Sequence, residues 1–423
     1  MEIPDEDYIK SINKLIYNFI WNKTDRIKRN TLIGHVKEGG LGITDVESKI
    51  NALKAAWVPR LKETKHCIKS YVNSYCTPIN IDINYLINTT ENKIENYEIL
   101  KTMPLFYKQA FACFNTCKDL QNKPSPETFL KQPIWSNLMF LYKGKTIFFK
   151  TWLKSNILFV KDLYSEAGTL KSPEEIADIL INKNNWLCEY KIIKTIFKNY
   201  ENKLDLRVCQ YMNQVQLYTP SYNQYSTKDF YNHFIKKKFQ KPTMQSKYNK
   251  EFDILKSDWE NIYMNKIVLL QDKKISEFNY KLLNNLLSNN YFVSKINKNC
   301  DYMCKICTEK IENSHHLIFE CVNVQHTWKL VSNIFGFDVK WKHIVIGFYS
   351  VRNETTAMYN LLLSFVALKI YKYKMFCRLE NIVETSEGIV CNLKLCIQKY
   401  LEILHCIGNT RYYSFFKTLL DKL

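Results

Sequence analysis

Three cysteines and a histidine fall within one short window of this sequence. Cys304 and Cys307 are separated by two residues, His316 follows after eight more, and Cys321 after another four. Three thiolates and an imidazole make a complete tetrahedral set for Zn²⁺, a borderline-soft ion that takes sulfur and nitrogen ligands. The C-x2-C half folds into a tight knuckle, and His316 and Cys321 reach the same centre if a helical turn starts near Ser314. Cys321, Val324 and Trp328 then repeat at helical spacing, which places Trp328 beneath the metal as a hydrophobic floor. A full ligand set leaves no open position for substrate, so the expected zinc is structural. With fourteen cysteines in the chain a chance C-x2-C pair is ordinary. A His and a Cys at zinc-finger distances in the same window are not. His315 and Cys300 are the alternative ligands, replacing His316 and Cys304; His316 is preferred.

The elements that must position this knuckle read as helices. The chain has 423 residues, of which 46% are hydrophobic and 14% aromatic, a composition that folds. Only ten glycines and ten prolines punctuate it, which favours long helices over strands and turns. The expected fold is mainly α, several helical segments around one small Cys3His zinc knuckle near residue 310, with no parallel α/β core. The formal net charge of +19 calls for a polyanionic partner. RNA or DNA fits better than a membrane, because no segment has the length and apolarity to span one. Glu2, Asp5, Glu6 and Asp7 carry the wrong charge for a secretory signal. Cysteines without regular pairing fit an intracellular reducing compartment, cytoplasm or nucleus, and free thiols.

Along the chain, Ile9, Ile12, Ile16, Phe19 and Ile20 share a helical face. A basic connector, residues 23–29, leads to Gly39, Gly40 and Gly42. That cluster lacks the Lys-Ser/Thr of a phosphate loop and reads as a turn needing positive φ. Thr44 and Glu47 are spaced as a capping box, ahead of a stripe of Val46, Ile50, Leu53, Trp57 and Leu61. From about 70 to 235 the text is helical, with breaks near Pro78, Pro124–Pro126, Pro133 and Pro220. Residues 134–152 suit either short helices or strands, and 218–228 read as a linker. Lys236, Lys237, Lys238 and Lys241, interleaved with aromatic rings, suit a phosphate backbone and its bases as well as a plain solvated connector. Residues 252–263 and 275–292 form amphipathic helices leading into the knuckle, and 341–347 a short buried segment. A long helix over 358–379 carries Lys369, Lys372, Lys374 and Arg378 with Tyr371 and Tyr373, a second nucleic-acid surface. Residues 389–423 continue helical, with Val390, Leu393, Ile397, Tyr400 and Leu401 inward.

The knuckle, with His316-Leu-Ile-Phe-Glu-Cys321 and Trp328, resembles the zinc-binding segment at the C-terminal end of non-LTR (LINE-type) retrotransposon reverse transcriptases. Phe19-Ile20-Trp21, Gly39-Gly40-Leu41-Gly42, Ala52-Leu53-Lys54 and Trp57 resemble the segment just downstream of the polymerase core in those proteins. Trp259 to Tyr263 and Phe278-Asn279-Tyr280-Lys281-Leu282-Leu283 resemble the helical lead-in. The likeness covers the ends and the latter half of the chain, and its order along the sequence is its strongest feature. The sequence reads as five segments: 1–66, which in the resemblance follows the polymerase core, 67–235 of unassigned role, 236–299 a basic connector and helices leading to the knuckle, 300–332 the knuckle, and 333–423 a C-terminal helical region.

A polymerase needs paired aspartates to hold two Mg²⁺, and this chain contains no Asp-Asp dipeptide. It also lacks a Walker motif and an H-E-x-x-H. The resemblance implies that the polymerase and endonuclease regions lie outside these residues. The expectation is therefore no catalysis and no small-molecule substrate, but a zinc-dependent segment that holds template RNA or target DNA. The competing expectation is a helical remnant or protein-interaction module whose zinc is purely structural. A third is a subunit that completes a reverse transcriptase supplied in trans.

Overall fold

A computed structural model describes residues 4–21, 25–63, 67–79, 81, 83–88, 101–117, 129–130, 132–137, 139–201, 225–268, 272–350 and 353–423. The breaks expected at Pro124–Pro126 and Pro220, the start of the basic connector and most of the 218–228 linker lie outside the described residues. The fold is mostly helical, with 66% helix and 3% strand, so the mainly α expectation holds and no parallel sheet is present among the described residues. Two compact units divide the chain: Met1–Ile20 with Thr44–Lys238, and Trp21–Ile43 with Phe239–Leu423. They group the segments differently from the five read from the sequence, because the glycine-rich turn goes with the knuckle and the helix after it does not.

In the first unit the Val46–Ala55 helix packs against Leu105–Thr116 and Thr227–Lys238. Its inward residues are Ser48, Ala52 and Ala55, whereas Leu53 is half exposed. Of the expected stripe, Leu61 is buried and Trp57 packs against the core, whereas within this helix small residues take the inner face and let two neighbouring helices approach closely. Its N-cap is Asp45, not Thr44: the Asp45 carboxylate accepts from the Ser48 amide at 3.0 Å. Residues 134–152 turn out to contain both readings. Leu141–Tyr142 and Lys145–Thr146 form a tiny antiparallel hairpin whose turn residues Lys143 and Gly144 have φ of +49° and +76°. A short helix follows at Lys150–Lys154. Trp135 and Trp152, from either side of that hairpin, are fully buried. The amphipathic Glu6–Trp21 helix buries only Tyr17, and Phe19 of its expected inner face is 92% exposed.

In the second unit the long helix runs Glu354–Leu379, started by Asn353, which accepts from the Thr356 amide at 2.7 Å. It packs against Lys273–Leu283 and Ser386–Cys406, and the latter against Thr410–Lys422. Ile389, Leu393, Ile397, Leu401 and Leu404 form the inner face of Ser386–Cys406. The lead-in expected as one helix over 275–292 is two, Lys273–Leu283 and Asn290–Ile296. Asn285 breaks it at φ +55°, and Asn289 caps the second helix by accepting from the Phe292 amide at 2.8 Å. Both are asparagines, the non-glycine residue most tolerant of such turns. The glycine turn does need positive φ: Gly39 stands at +92° against Tyr263, where a Cβ would come within 2.5 Å of the ring.

Candidate metal centre

The knuckle is built by a single β-bridge between Met303 and Ile311. The Cys304 amide donates to the Lys310 carbonyl and the Thr308 amide to the Cys304 carbonyl, each at 2.8 Å. This closes the loop around Cys304 and Cys307, with Thr308 at φ +49°. A helical turn does begin at Ser314 and continues as a wide turn over His316–Glu320. Cys321 then becomes the N-cap of the Val322–Phe335 helix.

These pieces bring Cys304, Cys307, His316 and Cys321 together with their ligand atoms all within 4.8 Å of one another. The Cys321 sulfur lies 4.0 Å from that of Cys304 and 3.9 Å from that of Cys307. A tetrahedral zinc with Zn–S bonds near 2.3 Å separates its sulfurs by about 3.8 Å, so the spacing fits this ion. His316 is 1% exposed and neither ring nitrogen has a hydrogen-bond partner. A buried imidazole without partners costs free energy unless something coordinates it. The contact between the Cys304 and Cys321 sulfurs holds the Cys304 pKa well below the usual thiol range and pushes that of Cys321 up. His315 is excluded from the cluster: its ring stacks on Phe319 and lies 4.6 Å from Trp341. Cys300 also stands outside the four. Trp328 is buried, and its indole N–H donates to the Ile318 carbonyl at 2.8 Å, bracing the wide turn that carries His316.

No family model matches the chain, and no curated protein matches it.

The surroundings of the knuckle are ionic, and this redraws the surface expected on the long helix. Lys374 is 1% exposed and its ammonium stands 2.9 Å from a Glu384 carboxylate oxygen. Burial works against the charged ammonium, but Glu384 and Cys321 outweigh it and raise the Lys374 pKa. A phosphate in solvent does not reach this residue. Arg378 pairs with Glu312, itself 2% exposed, and donates to Asn290 at 3.4 Å. Glu312 also accepts from the Asn290 amide at 2.9 Å, and Asn290 donates to the Met303 carbonyl at 2.8 Å. Arg378 therefore ties the knuckle to the helices around it. Lys369 lies 4.7 Å over the Phe365 ring, and Lys372 is exposed. Tyr371 and Tyr373 are half-buried; the Tyr371 hydroxyl meets the Ser288 backbone, and Tyr373 packs against Gly388.

The other lysine cluster divides as well. Lys236 and Lys237 are exposed, and Lys237 reaches the Thr116 carbonyl at 2.5 Å. Lys238 bridges Asp45 and Glu47, each at 2.7 Å. Lys241 is exposed and belongs to the second unit. Sequence reasoning missed Glu312, Asn290 and Glu384, the positioning residues of the knuckle. Their side chains look ordinary in the text and acquire a role only through partners distant in the chain.

Proposed function

We propose that this chain is a zinc-dependent nucleic-acid-binding segment without catalytic chemistry of its own, akin to the C-terminal part of a non-LTR retrotransposon reverse transcriptase. The observation that carries the reading is the buried Cys3His group in a chain of net charge +19. Zinc there holds the knuckle closed; the four residues saturate it, so it supplies structure and not a reactive water. Template RNA or target DNA is the partner that matches the resemblance and the charge. The test is fluorescence anisotropy of the zinc-loaded protein with labelled single-stranded RNA and DNA across a salt series. Saturable binding that weakens with salt supports the reading, and no binding at low salt removes it.

A second reading, a helical interaction module with a purely structural zinc, is favoured by one feature. Lys374 and Arg378, two of the cations offered for phosphate, are engaged internally by Glu384 and Glu312. It predicts a protein that keeps its zinc and its helices but binds neither nucleic acid.

A further inference from the structure

With Lys374 and Arg378 turned inward, a different set of cations gathers beside the knuckle. Tyr371 marks the place. Its hydroxyl feels the charges of Lys281, Arg378 and Arg26, which come from three separate stretches of the second unit. Arg26 is exposed, and its guanidinium sits 5.7 Å from the centre of the Phe292 ring. One residue earlier on the same short helix, Tyr291 is 37% exposed, and the Lys295 ammonium stands 4.2 Å over its ring. Asn290, next in line, is the residue that Arg378 reaches.

The acids nearby are already paired. Glu312 holds Arg378, Asp25 holds Arg29 at 2.7 Å, and Glu277 pairs with Lys281 at 2.5 Å on the exposed helix surface. Among the described residues, Arg26 and Lys295 meet aromatic rings and no carboxylate. An exposed i,i+4 pair such as Glu277–Lys281 is weak, so Lys281 exchanges it readily for a phosphate.

We propose that Arg26, Lys281 and Lys295, together with the exposed ring of Tyr291, form a seat for single-stranded nucleic acid beside the zinc knuckle. Cations alternating with accessible rings suit a strand whose phosphates bind the charges while unstacked bases lie on the rings. A duplex hides those base faces, and a folded acidic protein offers none. The seat rests on the nucleic-acid reading above but names different residues: of the long helix it uses the neighbourhood of Tyr371, and none of its lysines.

The test uses the full zinc-loaded chain and a fluorescein-labelled single-stranded oligonucleotide. Replacing all three cations, as R26Q, K281Q and K295Q together, should flatten the slope of log K against log salt by about 2, since each phosphate contact on a single strand contributes about 0.7. Tyr291→Leu should weaken binding about tenfold and leave the slope unchanged, because stacking is not ionic. Zinc content and helicity should match the unsubstituted protein. Should the triple variant lose helicity, R26Q alone, on an exposed side chain, should still flatten the slope by about 0.7. An unchanged slope in folded cation variants, with a slope that falls in a Lys236/Lys237/Lys241→Gln variant, would overturn the seat and leave the nucleic-acid reading standing. Absence of any oligonucleotide binding by the unsubstituted chain removes both. Equal losses for single-stranded and duplex probes in Tyr291→Leu would also overturn the single-strand assignment.

Discussion

In the first unit, Trp135 and Trp152 are completely buried, and each indole N–H finds an acceptor at 2.7 Å, the Ile157 carbonyl and the Glu189 carboxylate. Phe149 packs edge-on against Trp135, and in the same core Phe129, Phe140 and Phe197 pack edge-on or tilted against one another. In the second unit the interior is also apolar, yet it encloses three thiols, an imidazole without a hydrogen-bond partner, and two lysines. Rings fill space and satisfy themselves with single hydrogen bonds. Thiols and charges do so only when a partner of the right charge arrives. The first unit therefore stands on packing, while the knuckle of the second is built around four residues that could hold a metal ion and around ion pairs.

Removing zinc should break this contrast most widely. Chelation, or a Cys307→Ser/Cys321→Ser variant, should unfold residues 300–328 and leave the first unit protected. Structural zinc sites contribute on the order of 10 kcal/mol at neutral pH, more than any packing change can replace. Hydrogen exchange read by mass spectrometry would show it, and elemental analysis should find one zinc per chain. Acidification should release the metal, because thiolates must bind protons as they let it go. Equal loss of protection in both units would end the distinction.

Next in size, Trp152→Ala should cost about 3–5 kcal/mol in the first unit while the zinc content stays unchanged. Denaturant unfolding followed by metal analysis checks both halves of that statement.

Breaking the buried pair beside the knuckle sharpens the comparison further. Glu384→Gln leaves Lys374 charged and unpaired, a change that costs about 3–5 kcal/mol in buried pairs. The double variant Lys374→Met/Glu384→Gln should recover much of that loss. A double variant no more stable than Glu384→Gln alone would show that the pair does not act as a unit.

The smallest effect per pH unit concerns Lys266, fully buried with its ammonium donating to the Ile344 carbonyl and the Ser364 hydroxyl, each at 2.8 Å. Burial pushes its pKa down to about 7 from 10.5. The unfolded chain then holds a proton that the folded chain has released between pH 7 and 10.5. Stability consequently rises with pH across that window, by up to about 1.4 kcal/mol per unit. Lys266→Met removes the slope: its advantage over the native residue should be greatest at or below pH 7 and shrink toward pH 10. Unfolding curves at pH 7 and pH 9 that shift in parallel would contradict this.

Much of the fold could be read from period alone. The long helix near 358–379 and the C-terminal helices follow apolar repeats that survive in the structure. The failures share a cause. Thr44 and Asp45 are both competent caps, and Asp45 wins in a place where Lys238, 193 residues away, also binds its carboxylate. Of the Val46–Leu61 stripe, Leu61 is buried and Trp57 packs against the core, but Leu53 faces out, because two helices close on Ala52 and Ala55 instead. The lead-in to the knuckle broke at asparagines whose left-handed turn and cap are visible as residues but not as choices.

The sequence by itself determined the Cys3His cluster. Its four ligands lie within eighteen positions, so short-range spacing and the chemistry of sulfur and imidazole suffice to bring them together. Only the tertiary structure decided which cations face solvent. Lysines and arginines look alike in the text, and their fate depends on carboxylates delivered by other elements. Glu384 takes Lys374 inside, and Glu312 takes Arg378, 66 residues away. Arg26, read only as part of a basic connector, and Lys295, which drew no notice, remain outside on aromatic rings. Coordination geometry is local and legible in spacing; charge pairing is set by long-range packing, which spacing does not encode.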